Sequence, residues 1–165
     1  MQKINPFLWF DDQAEQAAKF YVSVFKNSKL GRITHYDDDV AEKIDRPKGS
    51  VMTVEFTLEG VEFVGLNGGP QFKFSEAISF SVNCETQEEI DYFWEKLSAD
   101  GGETSRCGWL KDKFRLSWQI NPRILGELLA DKDKAKAARV MQAMMGMDKI
   151  DIAQLERAAK GESRK

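Results

Sequence analysis

Apolar positions in this chain switch between a period of two and a period near 3.6, and they do so twice. Ile4 to Phe10 is an apolar, aromatic run of strand length. Asp11 and Asp12 stop it, and Asp12 followed by Glu15 has the form of a capping box. Ala14, Ala17, Ala18, Tyr21, Val24 and Phe25 then recur at three- and four-residue spacing, which predicts a helix with one apolar stripe laid on a sheet. Ser28 to Tyr36 reads as a strand and Asp37 to Gly49 as a polar loop. In Ser50 to Leu58, Met52, Val54, Phe56 and Leu58 alternate with Thr53, Glu55 and Thr57, and Glu59-Gly60 predicts a hairpin into Val61 to Leu66.

Asn67-Gly68-Gly69-Pro70 breaks this pattern, and the order then begins again. Ala77 to Asn83 reads as a strand with Ile78, Phe80 and Val82 on one face. Thr86 and Glu89 form a second capping box ahead of the stripe Ile90, Phe93, Trp94 and Leu97, which Asp100-Gly101-Gly102 ends. Strands are expected at Glu103 to Leu110 and Lys113 to Ile120, joined by a short turn at Lys111-Asp112. The halves align at an offset of 73 residues, placing Phe7 on Phe80, Phe20 on Phe93, Tyr21 on Trp94 and Val24 on Leu97. Fold class on this reading is α+β with a duplicated strand–helix–strand–strand unit; a ferredoxin-like sandwich without the duplication is the alternative. After Pro122 the chain turns helical, with Asp148 and Asp151 as candidate caps, and Gly161 to Lys165 are expected to fray. The Ala- and Met-rich helix there either covers the sheet or supports a dimer.

Composition narrows the function classes. A chain of 165 residues, 42% apolar and 31% charged, has room for one core of ordinary globular type. A net charge of −3 without a basic cluster gives no footprint for nucleic acid. No apolar run approaches the ~18 residues of a membrane span, and the amino-terminal residues lack the pattern of an export signal. Cys84 and Cys107 are not spaced as C-x-x-C, so reduced thiols and a cytoplasmic location are expected.

Several segments together resemble one family. Ile4-Asn5-Pro6-Phe7-Leu8-Trp9-Phe10, the Asn67-Gly68-Gly69-Pro70 turn with Phe72-Lys73-Phe74, Ala77-Ile78-Ser79-Phe80-Ser81-Val82, Gly108-Trp109-Leu110-Lys111-Asp112-Lys113-Phe114 and Ser117-Trp118-Gln119 are similar to the PhnB-like, "3-demethylubiquinone-9 3-methyltransferase-like" family of the vicinal-oxygen-chelate (glyoxalase/bleomycin resistance) superfamily. Arg139-Val140-Met141 and Lys149 to Ala153 also resemble that family's tail, so the likeness is expected over nearly the whole chain. It implies paired βαβββ modules around a cavity, with residues 1–121 as a single domain (modules 1–70 and 71–121) and 122–165 as a helical extension.

In metal-using relatives of this superfamily, His and Glu side chains from four strands hold the ion. By this resemblance the matching positions are Pro6, Ala77, Gln119 and, nearby, Asn67. Pro and Ala offer no lone pair and two amides offer only neutral oxygens, a poor donor set for zinc, nickel or manganese. No metal and no cofactor are therefore expected. His35, the only histidine, falls in the second strand, where no ligand is implied.

The methyltransferase label conflicts with the pattern. A Rossmann-type site needs a glycine-rich turn between a strand and a helix, whereas Gly65, Gly68 and Gly69 run into a Pro70 loop. Cys107 with His35 is a conceivable nucleophile pair, but a buried inert thiol is the plainer account. Asp37-Asp38-Asp39 reads as a solvated acidic turn, because it lacks the glycine and terminal glutamate of a calcium loop.

If Ala77 and Gln119 mark the concave face, strand parity adds Ser79, Ser81, Arg115 and Ser117, and on the third strand Thr53, Glu55 and Thr57. Phe80, Val82, Leu116 and Trp118 would then pack under the helices. Expected ligand contacts are Asn67, Ser79, Ser117, Gln119, Trp109 and Glu55. The leading expectation is a metal-independent small-molecule-binding protein, a homodimer, with its ligand between the modules. A glyoxalase-like lyase or isomerase, or a dioxygenase, with a non-standard metal site (Glu55 or Glu62 with Asn67 and Gln119) is the enzymatic alternative, and an interaction role for the carboxy-terminal helices is the third.

Overall fold

Both periodicities become elements in the order the pattern predicts. In the computed structural model, which describes residues 2–162, residues 163–165 of the tail expected to fray lie outside the described residues. The chain runs β1 (Phe7–Phe10), α1 (Ala14–Val24), β2 (Lys29–His35), α2 (Asp38–Lys43), β3 (Val51–Leu58), β4 (Val61–Asn67), then β5 (Phe80–Cys84), α3 (Gln87–Ser98), β6 (Glu103–Thr104), β7 (Trp109–Lys111) and β8 (Ser117–Pro122). Three helices follow: α4 (Arg123–Leu129), α5 (Lys134–Met145) and α6 (Ile152–Lys160). The two sheets have the same strand order, β1-β4-β3-β2 and β5-β8-β7-β6. In each, the outer pair β1/β4 or β5/β8 is parallel and the other pairs are antiparallel. The fold is thus α+β with a repeated βαβββ module, and the chain divides into two compact units at Phe74/Ser75.

In the first unit the apolar stripe of α1 is buried as the spacing requires, with Tyr21 against Phe56 and Phe56 stacked on Phe63 at 5.2 Å. Glu59 and Gly60 both take positive φ, 46° and 84°, which matches the primed turn that a two-residue hairpin needs. The capping box expected at Asp12 and Glu15 does not form. Gln13 is the N-cap and makes no side-chain cap bond; Asn67 Oδ1 accepts the Ala14 N–H instead, at 2.8 Å. Nor is the segment 37–49 wholly a loop. Asp37 accepts from the Asp39 N–H at 3.0 Å and starts α2.

In the second unit the box holds: Thr86 Oγ1 accepts from the Glu89 N–H at 3.3 Å, and Glu89 Oε2 accepts from the Glu85 N–H at 2.7 Å. Its strands are shorter than the sequence pattern suggests. β5 begins at Phe80, leaving Ala77 to Ser79 outside it and Ile78 73% exposed rather than facing inward. Segment 103–110 breaks into β6, a loop and β7. Segment 113–120 is not one strand either, because the buried Asp112 gathers the N–H groups of Phe114 and Leu116 and the Trp118 indole into a turn. Arg115, expected on the open face, sits in that turn at φ 71° and pairs with Glu103.

The internal repeat also needs a correction. An offset of 73 superposes the helices, since Ala17 and Val24 of α1 fall on Ile90 and Leu97 of α3, all buried. The strands do not share it. Phe7 is 60% exposed and its neighbours Leu8 and Phe10 are buried, whereas Phe80 packs at 5.6 Å on the buried Trp118. A slip of one residue in a strand exchanges its faces, so the strand equivalences are displaced by one from those of the helices.

The carboxy-terminal helices form a core of their own around Leu125, Val140, Met147, Ile150 and Leu155. Asp133 and Asp151 cap α5 and α6. Asp148 is no cap; its carbonyl accepts the Gly108 N–H at 2.7 Å, beside the Cys107 N–H to Met147 carbonyl bond at 2.8 Å. Among the described residues no helix is long and apolar enough to cross a membrane.

Candidate functional site

Alternation along β8 divides its side chains cleanly. Trp118 and Ile120 are buried on the side of α3, and Ser117, Gln119 and Asn121 share the opposite face. Register extends that face across the sheet: Ser81, Gln119 and Trp109 form one row, and Asn83 and Asn121 the next. Gln119 Nε2 donates to Ser79 Oγ at 2.9 Å, and Asn121 Nδ2 lies within bonding range of Gln119 Oε1 at 3.3 Å and of Ser81 Oγ at 3.4 Å. Trp9 and Trp118 donate their indole N–H groups at 2.8 Å, to the Gly69 carbonyl and to Asp112. The Trp109 indole has no hydrogen-bond acceptor among the described residues.

This polar face is the floor of a cavity of about 750 Å³ within the second unit. Leu125 and Leu129 of α4 and Met144 of α5 supply an apolar side, and Cys107, half-buried, also lines it. Glu85 and Arg123 line it as well and pair with each other at 2.7 Å. The volume falls in the range of small-molecule clefts.

Of the six expected contacts, Ser79, Gln119 and Trp109 come together here. Ser117 lies on the same face one row further along, paired in register with Lys111, and its buried hydroxyl has no hydrogen-bond partner among the described residues. Asn67 and Glu55 belong to the first unit. The Asn67 amide is used at both ends, accepting from the Ala14 N–H and donating to the Val51 carbonyl at 3.1 Å. Glu55 pairs with Arg32 at 2.5 Å. Asn121 and Asn83 were missed, although parity beyond Gln119 and Ser81 already pointed to them. Covering the sheet was one of two readings of the Ala- and Met-rich helix, but the sequence left no mark of which face α4 and α5 border, since no local pattern says which sheet face a distant helix will meet.

Charge elsewhere on the second unit is largely self-compensated. Lys111 bonds Glu76 at 2.9 Å and Glu103 at 3.2 Å. These contacts hold its ammonium above the usual lysine range; the Lys111 bond lowers the Glu76 carboxyl, and bonds from Arg115 first and Lys111 second lower that of Glu103. Burial pushes the Cys84 thiol up to about 12.

The residues present do not fit a divalent ion. Pro6 and Ala77 have no donor atom, both ends of the Asn67 amide are engaged, and Gln119 is tied to Ser79 and Asn121. Among the described residues no three His, Cys, Asp or Glu side chains are grouped as a metal site, and His35 is exposed at the end of β2. The glycine turn after β4 also has a packing explanation. A Cβ on Gly68 would overlap the Trp9 ring, and the chain continues into a loop rather than a helix.

A family model described as 3-demethylubiquinone-9 3-methyltransferase matches residues 2–121. The chain belongs to this PhnB-like family. Among solved structures it is similar to a putative 3-demethylubiquinone-9 3-methyltransferase, PhnB protein, of Bacillus cereus, at 36% identity and TM-score 0.65, covering 73% of this chain and 99% of that one. A protein of Pseudomonas aeruginosa matches at 16% identity and TM-score 0.57, covering 74% and 98%. The genomically encoded fosfomycin resistance protein FosX of Listeria monocytogenes matches at 17% identity and TM-score 0.52, covering 79% and 98%; both likenesses show the fold alone. No match was found among curated proteins. The family match of this PhnB-like chain ends at residue 121, so it leaves out the tail over which the likeness was expected to extend.

The family description names a methyltransferase, yet both sheets of this PhnB-like chain are mixed, in the order 1-4-3-2 within each module. The parallel sheet with a glycine turn opening onto a helix, which a Rossmann cofactor site requires, is not built by either.

Proposed function

We propose that this chain binds an uncharged small molecule on the open face of its second sheet, with Gln119 at the centre and no divalent ion resident. The observation that carries the reading is the row Ser81–Gln119–Trp109 on the floor of the cavity, flanked by Ser79 and Asn121. Amides and hydroxyls in a row offer both donors and acceptors, and a tryptophan at its end offers a flat apolar surface and an unused N–H. A few polar groups against apolar walls is the usual composition of a small-molecule cleft. A glyoxalase-like or dioxygenase activity would need a metal, and the chemistry of the donor set argues against one.

The test has two parts. Purified protein is equilibrated with zinc, nickel, manganese or iron, desalted and assayed for bound metal; a stoichiometric ion lost in Gln119→Ala would overturn the reading. In parallel, wild type and Gln119→Ala are screened by ligand-observed NMR against neutral aromatic amides and ketones. Binding weakened by Gln119→Ala is expected, and binding indifferent to that change would place the ligand elsewhere.

A further inference from the structure

The apolar side of the cavity comes from residues beyond 121, where the family match stops. Leu125 and Leu129 stand one turn apart on α4, and Met144 lines the same cavity from α5. Gly126 lines it too, within a helix, where glycine is less favourable than alanine. Nothing local calls for it: its φ is not in the left-handed region, and a Cβ there would meet nothing within 4 Å. A glycine needed neither for backbone angle nor for close packing leaves open space at a position that lines the cavity.

We infer that α4 and α5 form a ligand-selecting wall, with Gly126 keeping it open, so that the cavity takes an uncharged molecule with one hydrogen-bonding edge and one apolar flank. The edge meets Gln119, Asn121 and the free Trp109 N–H; the flank lies along Leu125, Leu129 and Met144. Glu85 and Arg123 neutralise each other at 2.7 Å and leave no unpaired charge for an ionic ligand. This inference rests on the proposed function and adds the chemistry of the ligand and the part of the chain that selects it.

The probe is prodan, a neutral naphthyl ketone whose emission shifts to the blue in apolar surroundings. Wild type and Gly126→Ala are expected to bind it one to one with blue-shifted emission. Gly126→Trp should weaken binding at least tenfold without lowering the melting temperature, and Gln119→Ala should weaken it as well. Should Gly126→Trp fail to fold, Gly126→Gln places a polar side chain in the same wall and is expected to weaken binding in the same direction. Unchanged or tighter binding in Gly126→Trp and Gly126→Gln, with loss in Gln119→Ala, overturns the wall and leaves the proposed function standing. No binding to wild type, or binding that ignores both positions, overturns both.

Discussion

Asn67 caps the first helix from 53 positions further along the chain: its Oδ1 accepts the Ala14 N–H at 2.8 Å, and its Nδ2 donates to the Val51 carbonyl at 3.1 Å. One buried amide therefore fastens α1, β3 and β4 together. Asn67→Ala removes a cap and orphans a buried N–H, so a loss of about 1–3 kcal/mol is expected. Urea unfolding measures it. Asn67→Asp keeps the acceptor but sets a carboxylate against the Val51 carbonyl, and should also destabilise.

Asp112 is the corresponding fastener in the second unit. Fully buried, it accepts from the Phe114 and Leu116 N–H groups and from the Trp118 indole. Asp112→Ala leaves these donors without their acceptor and should cost about 2–4 kcal/mol. The Phe114 and Leu116 amides should lose hydrogen-exchange protection before the helix amides of α3 do.

The two thiols should react differently. Cys84 is buried, and desolvation raises its thiol to about 12 from 9.0. Cys107 is half-buried and borders the cavity. Titration of the native protein with a disulfide reagent at pH 8 should modify Cys107 and spare Cys84 until the protein unfolds. Because the folded value of Cys84 lies above the unfolded one, its contribution to stability is complete below pH 9 and falls as pH rises towards 12. Cys84→Ala should flatten that alkaline loss.

Asp151 caps α6 by accepting the Gln154 N–H at 2.8 Å, and this bond holds its carboxyl below the ordinary 3.8. A lowered folded value means stability that is present above 3.8 and lost as pH falls through the folded value. Asp151→Ala should cost about 1 kcal/mol at neutral pH and progressively less in acid, as read from melting curves across pH.

Removing residues 123–165 tests how far the tail serves the site. The Cys107 and Gly108 N–H groups would lose their acceptors at Met147 and Asp148, and the apolar side of the cavity would go with α4 and α5. The shortened chain should melt lower and fail to bind prodan. A shortened chain as stable as the full one would show the helices to be an independent appendage.

Much of the fold was legible because its determinants are local. The stripe from Ala14 to Val24, the alternation from Val51 to Leu58, the Glu59-Gly60 turn and the Thr86/Glu89 box each lie within a few residues, and each forms. Where a long-range group competes, the local reading fails. The Asp12/Glu15 box was written in the sequence, but the distant Asn67 takes the Ala14 N–H. Lys113 to Leu116 looked like strand, but the buried Asp112 carboxylate draws those N–H groups into a turn.

Ser79 and Gln119, singled out from strand parity and family likeness, meet on one face with Trp109. Asn67 and Glu55, singled out with them, are held in the first unit by a helix cap and an ion pair.

By itself the sequence determined the kind and order of most elements and the repeated module, because period and turn chemistry need no knowledge of distant neighbours. Only the tertiary structure decided the one-residue displacement between helix and strand equivalences, the capping of α1 by Asn67 and the apolar side that α4 and α5 give the cavity. Those depend on strand register and helix docking. They are set by pairings between residues far apart in the chain, and a slip of one position would turn every side chain of a strand to the opposite face.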